Sequence, residues 1–243
     1  MQTALVTGVS RTRGIAAAVA TRLRADGFTV VTSGWTPYDR EHHADTAEQV
    51  PVDLQYDLGD PGAPRLLLEE AEAQRGQISA LVLAHTYDSG GGIFEITPES
   101  IDRHLAINVR GNLLLMRAFA ERLRNDRRSG RIVIFASGPP QTGAIAYAAS
   151  KGALEWITYS AATELGPYGI TVNAVNPGPN QTGWMSPEIE AEAARRNPLR
   201  RHGRPEDAAA LVAMLLSDDA AFINGQLITS DGGLGIAGGS WPR

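Results

Sequence analysis

The chain has 243 residues, enough to bury one sizeable core, and its 43% hydrophobic content is ordinary for a globular domain. A net charge of −5 provides no global basic field for nucleic acid or a membrane surface. The absence of cysteine excludes disulfides, thiolate metal sites and cysteine nucleophiles, and fits a cytoplasmic protein.

The N-terminus, Met1-Gln-Thr-Ala-Leu-Val-Thr7, has no basic leader, and no run of about 20 apolar residues could span a bilayer. Ala4–Thr7 predicts a first strand, Gly8 to Gly14 a glycine-bounded turn, and Ile15–Leu23 a helix with small residues on its inner face, stopped at Gly27. Phe28–Thr32 predicts a second strand, completing the opening βαβ unit of a dinucleotide-binding fold. Glycines let the backbone approach a pyrophosphate closely, and the helix N-terminus offers free N–H groups and a partial positive charge. The gap from Gly8 to Gly14 exceeds that of G-x-G-x-x-G, and Ala16 stands where a further glycine would fall. An acidic residue at the end of the second strand would grip a ribose 2′-hydroxyl and mark NAD. Thr32, Ser33 and Gly34 are not acidic. Arg11, Arg13 and Arg40 either pair with a 2′-phosphate or are simply solvated; the first alternative favours NADP(H) over NAD(H).

Val52–Tyr56 predicts a third strand, followed by Asp57-Leu58 in a loop, a helix over Pro64–Arg75 and a buried fourth strand over Ala80–Ala84. A helix opens at Pro98 and runs through Ile107-Asn108-Val109 to about Arg124, placing Asn108 among apolar residues, where a buried amide needs partners. Arg131–Ser137 reads as a buried strand that delivers Ser137 at its end, and Ser137–Ala146 as a loop rich in Gly and Pro. The helix carrying Tyr147 ends near Gly166-Pro167, and Ile170–Asn176 is a sixth strand. Pro177–Thr182 then forms a loop at the sheet edge where open parallel sheets bind ligands. A charged helix, Pro187–Arg196, lies within a lid of roughly residues 183–203; a helix over Pro205–Leu216, a seventh strand over Gln226–Thr229 and Asp231-Gly-Gly-Leu-Gly complete the chain. Alternating elements without a composition break predict one α/β domain over residues 1–243. Its architecture is a doubly wound Rossmann fold, with a seven-stranded, mainly parallel sheet and helices on both faces.

Tyr147 and Lys151 are four residues apart, so on a helix they share one face. A free phenol has a pKa of about 10, and an ammonium beside it favours the phenolate and lowers that value. A hydroxyl at Ser137 could bond the same substrate oxygen that the tyrosine touches. His85 offers either an extra acid–base group or a structural imidazole, His42-His43 reads as a solvated loop pair, and carboxylates and histidines show no metal spacing.

Thr7-Gly8 through Gly14-Ile15-Ala16, Asp57-Leu58, Asn108-Val109, Ser137, Tyr147-x-x-x-Lys151, Val172-Asn173, Asn176-Pro177-Gly178 through Thr182, and Asp231-Gly232-Gly233 occur in one order and spacing. In these motifs the chain resembles the short-chain dehydrogenase/reductase family over roughly residues 3–235. Within it, the chain resembles bacterial 3-oxoacyl-thioester (acyl-carrier-protein) reductases. The resemblance implies an NAD(P)(H)-dependent oxidoreductase that interconverts a ketone and a secondary alcohol. Tyr147 would be acid in reduction and base in oxidation. Lys151 would lower its pKa and hold the nicotinamide ribose, Ser137 would orient the carbonyl, and Asn108 would hold a water linking Lys151 to solvent. Gly8, Ser10, Arg11, Arg13, Gly14, Ile15, Asp57, Leu58, Ala84, Tyr147, Lys151, Pro177, Gly178 and Thr182 would bind the cofactor, Asp57 through adenine and Thr182 through the nicotinamide amide. Hydride comes from the cofactor; the protein supplies geometry and electrostatics.

Three features depart from the family pattern. Leu83-Ala84-His85-Thr86 stands in place of Asn-Asn-Ala-Gly, the loop between Ser137 and Tyr147 is several residues shorter, and the glycine loop is longer, as in enoyl-thioester reductases. The Tyr-x-x-x-Lys spacing favours carbonyl chemistry, and the alternative is a non-redox or regulatory member that binds the dinucleotide without turnover. The resemblance also implies a homo-oligomer, tetramer or dimer, paired through the helices around Asn108 and Tyr147. Leu113, Phe119, Trp156 and Ile157 are open to either core or interface.

Overall fold

The computed structural model describes residues 2–42, 51–138, 142–183 and 185–237. His43, the 139–141 part of the short loop and Trp184 lie outside them.

Seven parallel strands form one sheet in the order β3-β2-β1-β4-β5-β6-β7. They are β1 (Thr3–Thr7), β2 (Thr29–Gly34), β3 (Leu54–Gln55), β4 (Ala80–Leu83), β5 (Gly130–Phe135), β6 (Ile170–Asn176) and β7 (Leu227–Thr229). The helices are α1 (Ile15–Ala25), α2 (Thr36–His42), α3 (Ala63–Arg75), α4 (Pro98–His104), α5 (Asn112–Asp126), α6 (Ile145–Leu165), α7 (Pro187–Arg196) and α8 (Pro205–Leu216).

The strands are apolar on both faces, as sheets sandwiched between helices must be. Leu5, Leu81, Ile132 and Ile134 point into a core closed by α3, α5 and α6, through Leu67, Phe119, Leu123 and Leu154. Their strand neighbours Ala4, Val6, Val82 and Val133 point the other way, onto α1 and α8. There Ala16, Val19 and Ala20 meet Ala208, Ala209 and Val212, so small residues let the two helices pack closely. Phe119 is therefore core, whereas Leu113 and Trp156 are 43% and 74% exposed.

Three elements differ from the sequence expectation. The third strand shrinks to two residues at the sheet edge. The stretch after β2 forms the short helix α2, started by Thr36-Pro37. The helix expected from Pro98 to Arg124 is interrupted by a π-helical segment over Leu105–Gly111, with Asn108 inside it. Such wide turns are rare and recur at functional sites. Gly111 fits the crossing: a Cβ there would sit 2.7 Å from the Leu58 carbonyl oxygen.

Candidate active site

The strand order reverses direction between β1 and β4, so their C-terminal ends diverge and open a crevice. A cleft of about 1000 Å³ lies there. Its floor is set by close backbone approaches. Gly8 has φ +79°, and a Cβ on it would come within 2.6 Å of the Ala84 oxygen and the His85 nitrogen. Gly14 N–H donates to the Arg11 carbonyl at 3.0 Å, closing the loop. Helix α1 then begins with no side-chain cap and no acidic residue in its first turn. Its first N–H groups thus remain available to an anion, which fits the pyrophosphate of a dinucleotide. Gly8, Ser10, Arg11, Gly14 and Ile15 all line the cleft. Arg13 and Arg40 are exposed and do not.

Arg11 does not simply wave in solvent. Its Nε lies 3.4 Å from a carboxylate oxygen of Asp39, whose side chain is only 5% exposed. Asp39 stands on α2, beyond the end of β2, with its carboxylate turned to Arg11. Asp57 and Leu58 line the same half of the cleft. The Asp57 carboxylate accepts from Arg103 at 2.7 Å and from Gly59 N–H at 2.8 Å.

The segment that departs from the family pattern, Ala84–Tyr87, is clamped from both sides. Thr7 Oγ1 accepts from Ala84 N–H at 3.2 Å and lies 2.8 Å from His85 Nδ1. Asn108 Oδ1 accepts from Tyr87 N–H at 2.7 Å, and its Nδ2 donates to the Tyr87 carbonyl and to Ser150 Oγ, each at 2.9 Å. Ser150 in turn donates to the Tyr147 carbonyl at 2.7 Å. The Asn108 side-chain amide is thereby bound to protein partners. It acts as a rivet between the Tyr87 loop and α6, and its own carbonyl accepts from Asn112 Nδ2 at 2.6 Å. His85 is buried, and burial, aided by the Lys151 charge, pushes its pKa down to about 3. A histidine held neutral in that way is structural, not an acid–base group near neutral pH.

Ser137 lies two residues beyond β5 and lines the cleft with Tyr147. Tyr147 and Lys151 do share a face of α6: the amine lies 5.8 Å from the phenol ring centroid. The expected fall in the tyrosine pKa does not occur. Burial pushes it up to about 12; the Ser137 and Thr86 hydroxyls oppose this, and the negative charge of Asp88 adds to it. The Lys151 amine is directed instead at the Phe135 carbonyl, 2.8 Å away, and burial lowers its own pKa to about 8. An ammonium with one acceptor keeps two further hydrogens, which fits the hydroxyls of a ribose. Lys151 is the only lysine in the chain.

Beyond β6, Pro177, Gly178 and Thr182 close the other wall. Gly178, at φ +63°, packs on Asp231, where a Cβ would sit 2.5 Å from the aspartate Cβ. Asp231 accepts from Gly233 and Gly235 N–H, both at 2.8 Å, shaping the turn whose Leu234 also lines the cleft. Helix α7 is tied down through Asn197, whose Nδ2 donates to the Asp231 carbonyl at 2.7 Å. No described residue of 185–203 lines the cleft.

Comparison with known proteins decides the family. A family model described as Enoyl-(Acyl carrier protein) reductase matches residues 8–235. An uncharacterized oxidoreductase of Bacillus subtilis is 36% identical over 239 residues, covering 95% of each chain. The chain belongs to the short-chain dehydrogenase/reductase family.

Versicolorin reductase 1 of Aspergillus parasiticus is 33% identical, again over 95% of each chain. Among solved structures, a short-chain dehydrogenase/reductase from Serratia marcescens superposes with a TM-score of 0.81 at 30% identity, covering 96% of this chain and 98% of the other. A blue fluorescent protein from a metagenomic library, solved in complex with NADPH, gives 0.79 at 30% identity, covering 96% and 97%. This short-chain dehydrogenase/reductase is thus an NAD(P)-dependent oxidoreductase. Of the residues expected to serve it, all but Arg13, Arg40, Asn108 and Lys151 line one cleft, and Asn108 and Lys151 are buried. Sequence reading missed Asp39, Thr86, Asp88 and Arg103; only Thr86 carried a signal, as a hydroxyl where the family has glycine.

Proposed function

We propose that the enzyme interconverts a ketone and a secondary alcohol, with Tyr147 as the proton-transferring group. The observation that carries this reading is the grouping of Ser137 and Tyr147 on the wall of the cleft, beyond the end of β5 and at the start of α6, with the Lys151 amine 5.8 Å from the Tyr147 ring. The bound nicotinamide supplies or receives hydride. Tyr147, with its pKa pushed up to about 12 in the open cleft, stays protonated and can give its proton to the carbonyl oxygen as alkoxide charge develops. The Ser137 hydroxyl faces the same oxygen and orients it. Lys151, charged below about 8, offers hydrogens to ribose and a positive field to the developing phenolate.

NADP(H) is the favoured cofactor. Arg11 is the loop arginine that lines the cleft, and Asp39 fixes its guanidinium. The NADPH named for one structural neighbour agrees with that choice. The enzyme works in the cytoplasm as a homo-oligomer. No helix among the described residues is long and apolar enough to cross a membrane. Titration with NADPH and NADH, followed by a ketone panel, tests the reading. Tight cofactor binding with oxidation of NADPH by a neutral ketone is expected. Tight binding without turnover across the panel favours the non-redox alternative.

A further inference from the structure

The charges that line the cleft are unevenly placed. Among the described residues they are Arg11, Asp39, Asp57, Asp88, Arg103 and Asp231. Arg11 is paired with Asp39 and Arg103 with Asp57, so the cations stand beside the glycine loop and the end of β3, each with a carboxylate. Asp231 turns its oxygens onto the N–H groups of Gly233 and Gly235. Asp88 differs from all of these. Its side chain is 44% exposed, and its charged neighbour at 3.7 Å is His104, an imidazole that carries charge only when protonated. One oxygen accepts from Gly90 N–H at 2.9 Å.

Nor is Asp88 loosely held. The Tyr38 hydroxyl donates to the Asp88 carbonyl at 2.8 Å and lies 3.2 Å from its amide nitrogen. The preceding residue, Tyr87, is clamped by Asn108 and packs edge-on against His104, with ring centroids 4.9 Å apart. The backbone of Asp88 is thus fixed, and its carboxylate is held at the cleft by the Gly90 N–H. Its field reaches the reacting groups, since it raises the pKa of both Tyr147 and Lys151.

We infer that Asp88 is a specificity residue, and that the cleft takes ketones or alcohols with no negative charge near the reacting carbon. Neutral and ammonium-bearing substrates fit; keto acids and phosphorylated ketones are repelled. The inference rests on the oxidoreductase reading above. A partly exposed like-charge contact, screened by solvent, corresponds to about tenfold in kcat/KM.

The test is a panel of 3-oxo compounds, each prepared as a neutral amide, a free carboxylate and an aminoethyl amide, assayed with NADPH at low and high ionic strength. The wild-type enzyme is expected to prefer the amides to the carboxylates by about tenfold at low salt, with the gap narrowing as salt rises. Asp88→Asn is expected to lower the amide-to-carboxylate ratio about tenfold. Should that variant fail to fold, the salt dependence of the wild-type ratio decides alone. Carboxylates used as well as amides, or a ratio indifferent to salt and to Asp88→Asn, overturns the inference and leaves the oxidoreductase reading standing. Reduction of no panel member with either cofactor overturns both.

Discussion

Lys151 and Tyr147 sit in one buried environment that favours the neutral form of each: the amine is pushed down to about 8, the phenol up to about 12. For a lysine lowered from 10.5, the ammonium is lost as pH rises through about 8. Ketone reduction is therefore expected to fall above that pH. Because Lys151 is the chain's only lysine, reductive methylation with a carbon-13 label gives one side-chain resonance to titrate. A midpoint near 8 supports the account, and a midpoint at the ordinary lysine value contradicts it. The linked stability has the opposite trend: between about 8 and 10.5 the unfolded chain binds more protons, so folding strengthens as pH rises. Arg11 yields a second residue-scale prediction. Arg11→Ala is expected to weaken NADPH binding by about tenfold and NADH binding by far less, because a charge-assisted contact to phosphate is lost. Equal weakening of both cofactors, measured by fluorescence titration, would show that Arg11 does not read the 2′-phosphate. The arginines of the glycine loop were legible in the sequence, but which one faces the cleft was not. That depends on Asp39, a helix residue beyond the strand end, reached only through the fold.

The π-helical segment shows how an element can carry function without touching substrate. By inserting a wide turn over Leu105–Gly111, the chain aims Asn108 at both Tyr87 and Ser150. Removing the amide takes away one hydrogen bond each from the Tyr87 N–H, the Tyr87 carbonyl and Ser150 Oγ. Asn108→Ala is expected to destabilise the fold by about 1–3 kcal/mol, since three hydrogen bonds of a buried amide are lost together. Urea unfolding measures this; a loss below about 0.5 kcal/mol would show the rivet to be dispensable. The sheet and its crossover helices were readable because apolar runs of strand length alternate with helical ones. The register of α2, the shortening of β3 and the wide turn at Asn108 were not. Short elements at an edge are decided by tertiary contacts, and a π turn has no periodicity that a mixed apolar stretch would betray.

On the scale of the whole molecule, the outer face formed by the π segment, α5 and α6 leaves Leu105, Leu113, Trp156 and Tyr159 between 41% and 74% exposed. Trp156 and Tyr159 stack edge-on, with ring centroids 5.8 Å apart. Such exposed large apolar groups on the π segment, α5 and α6 are expected to be covered by a second copy of the chain. Sedimentation velocity should find an oligomer for the wild type, and Trp156→Glu should shift it toward monomer; a monomeric wild type contradicts the assembly. Everything above converges on proton transfer at one hydroxyl, and Tyr147→Phe tests it most directly. With turnover and cofactor affinity measured side by side, the account predicts a loss of about a thousandfold or more in rate with the dissociation constant for NADPH nearly unchanged. A Tyr147→Phe enzyme that turns over at the wild-type rate would contradict it.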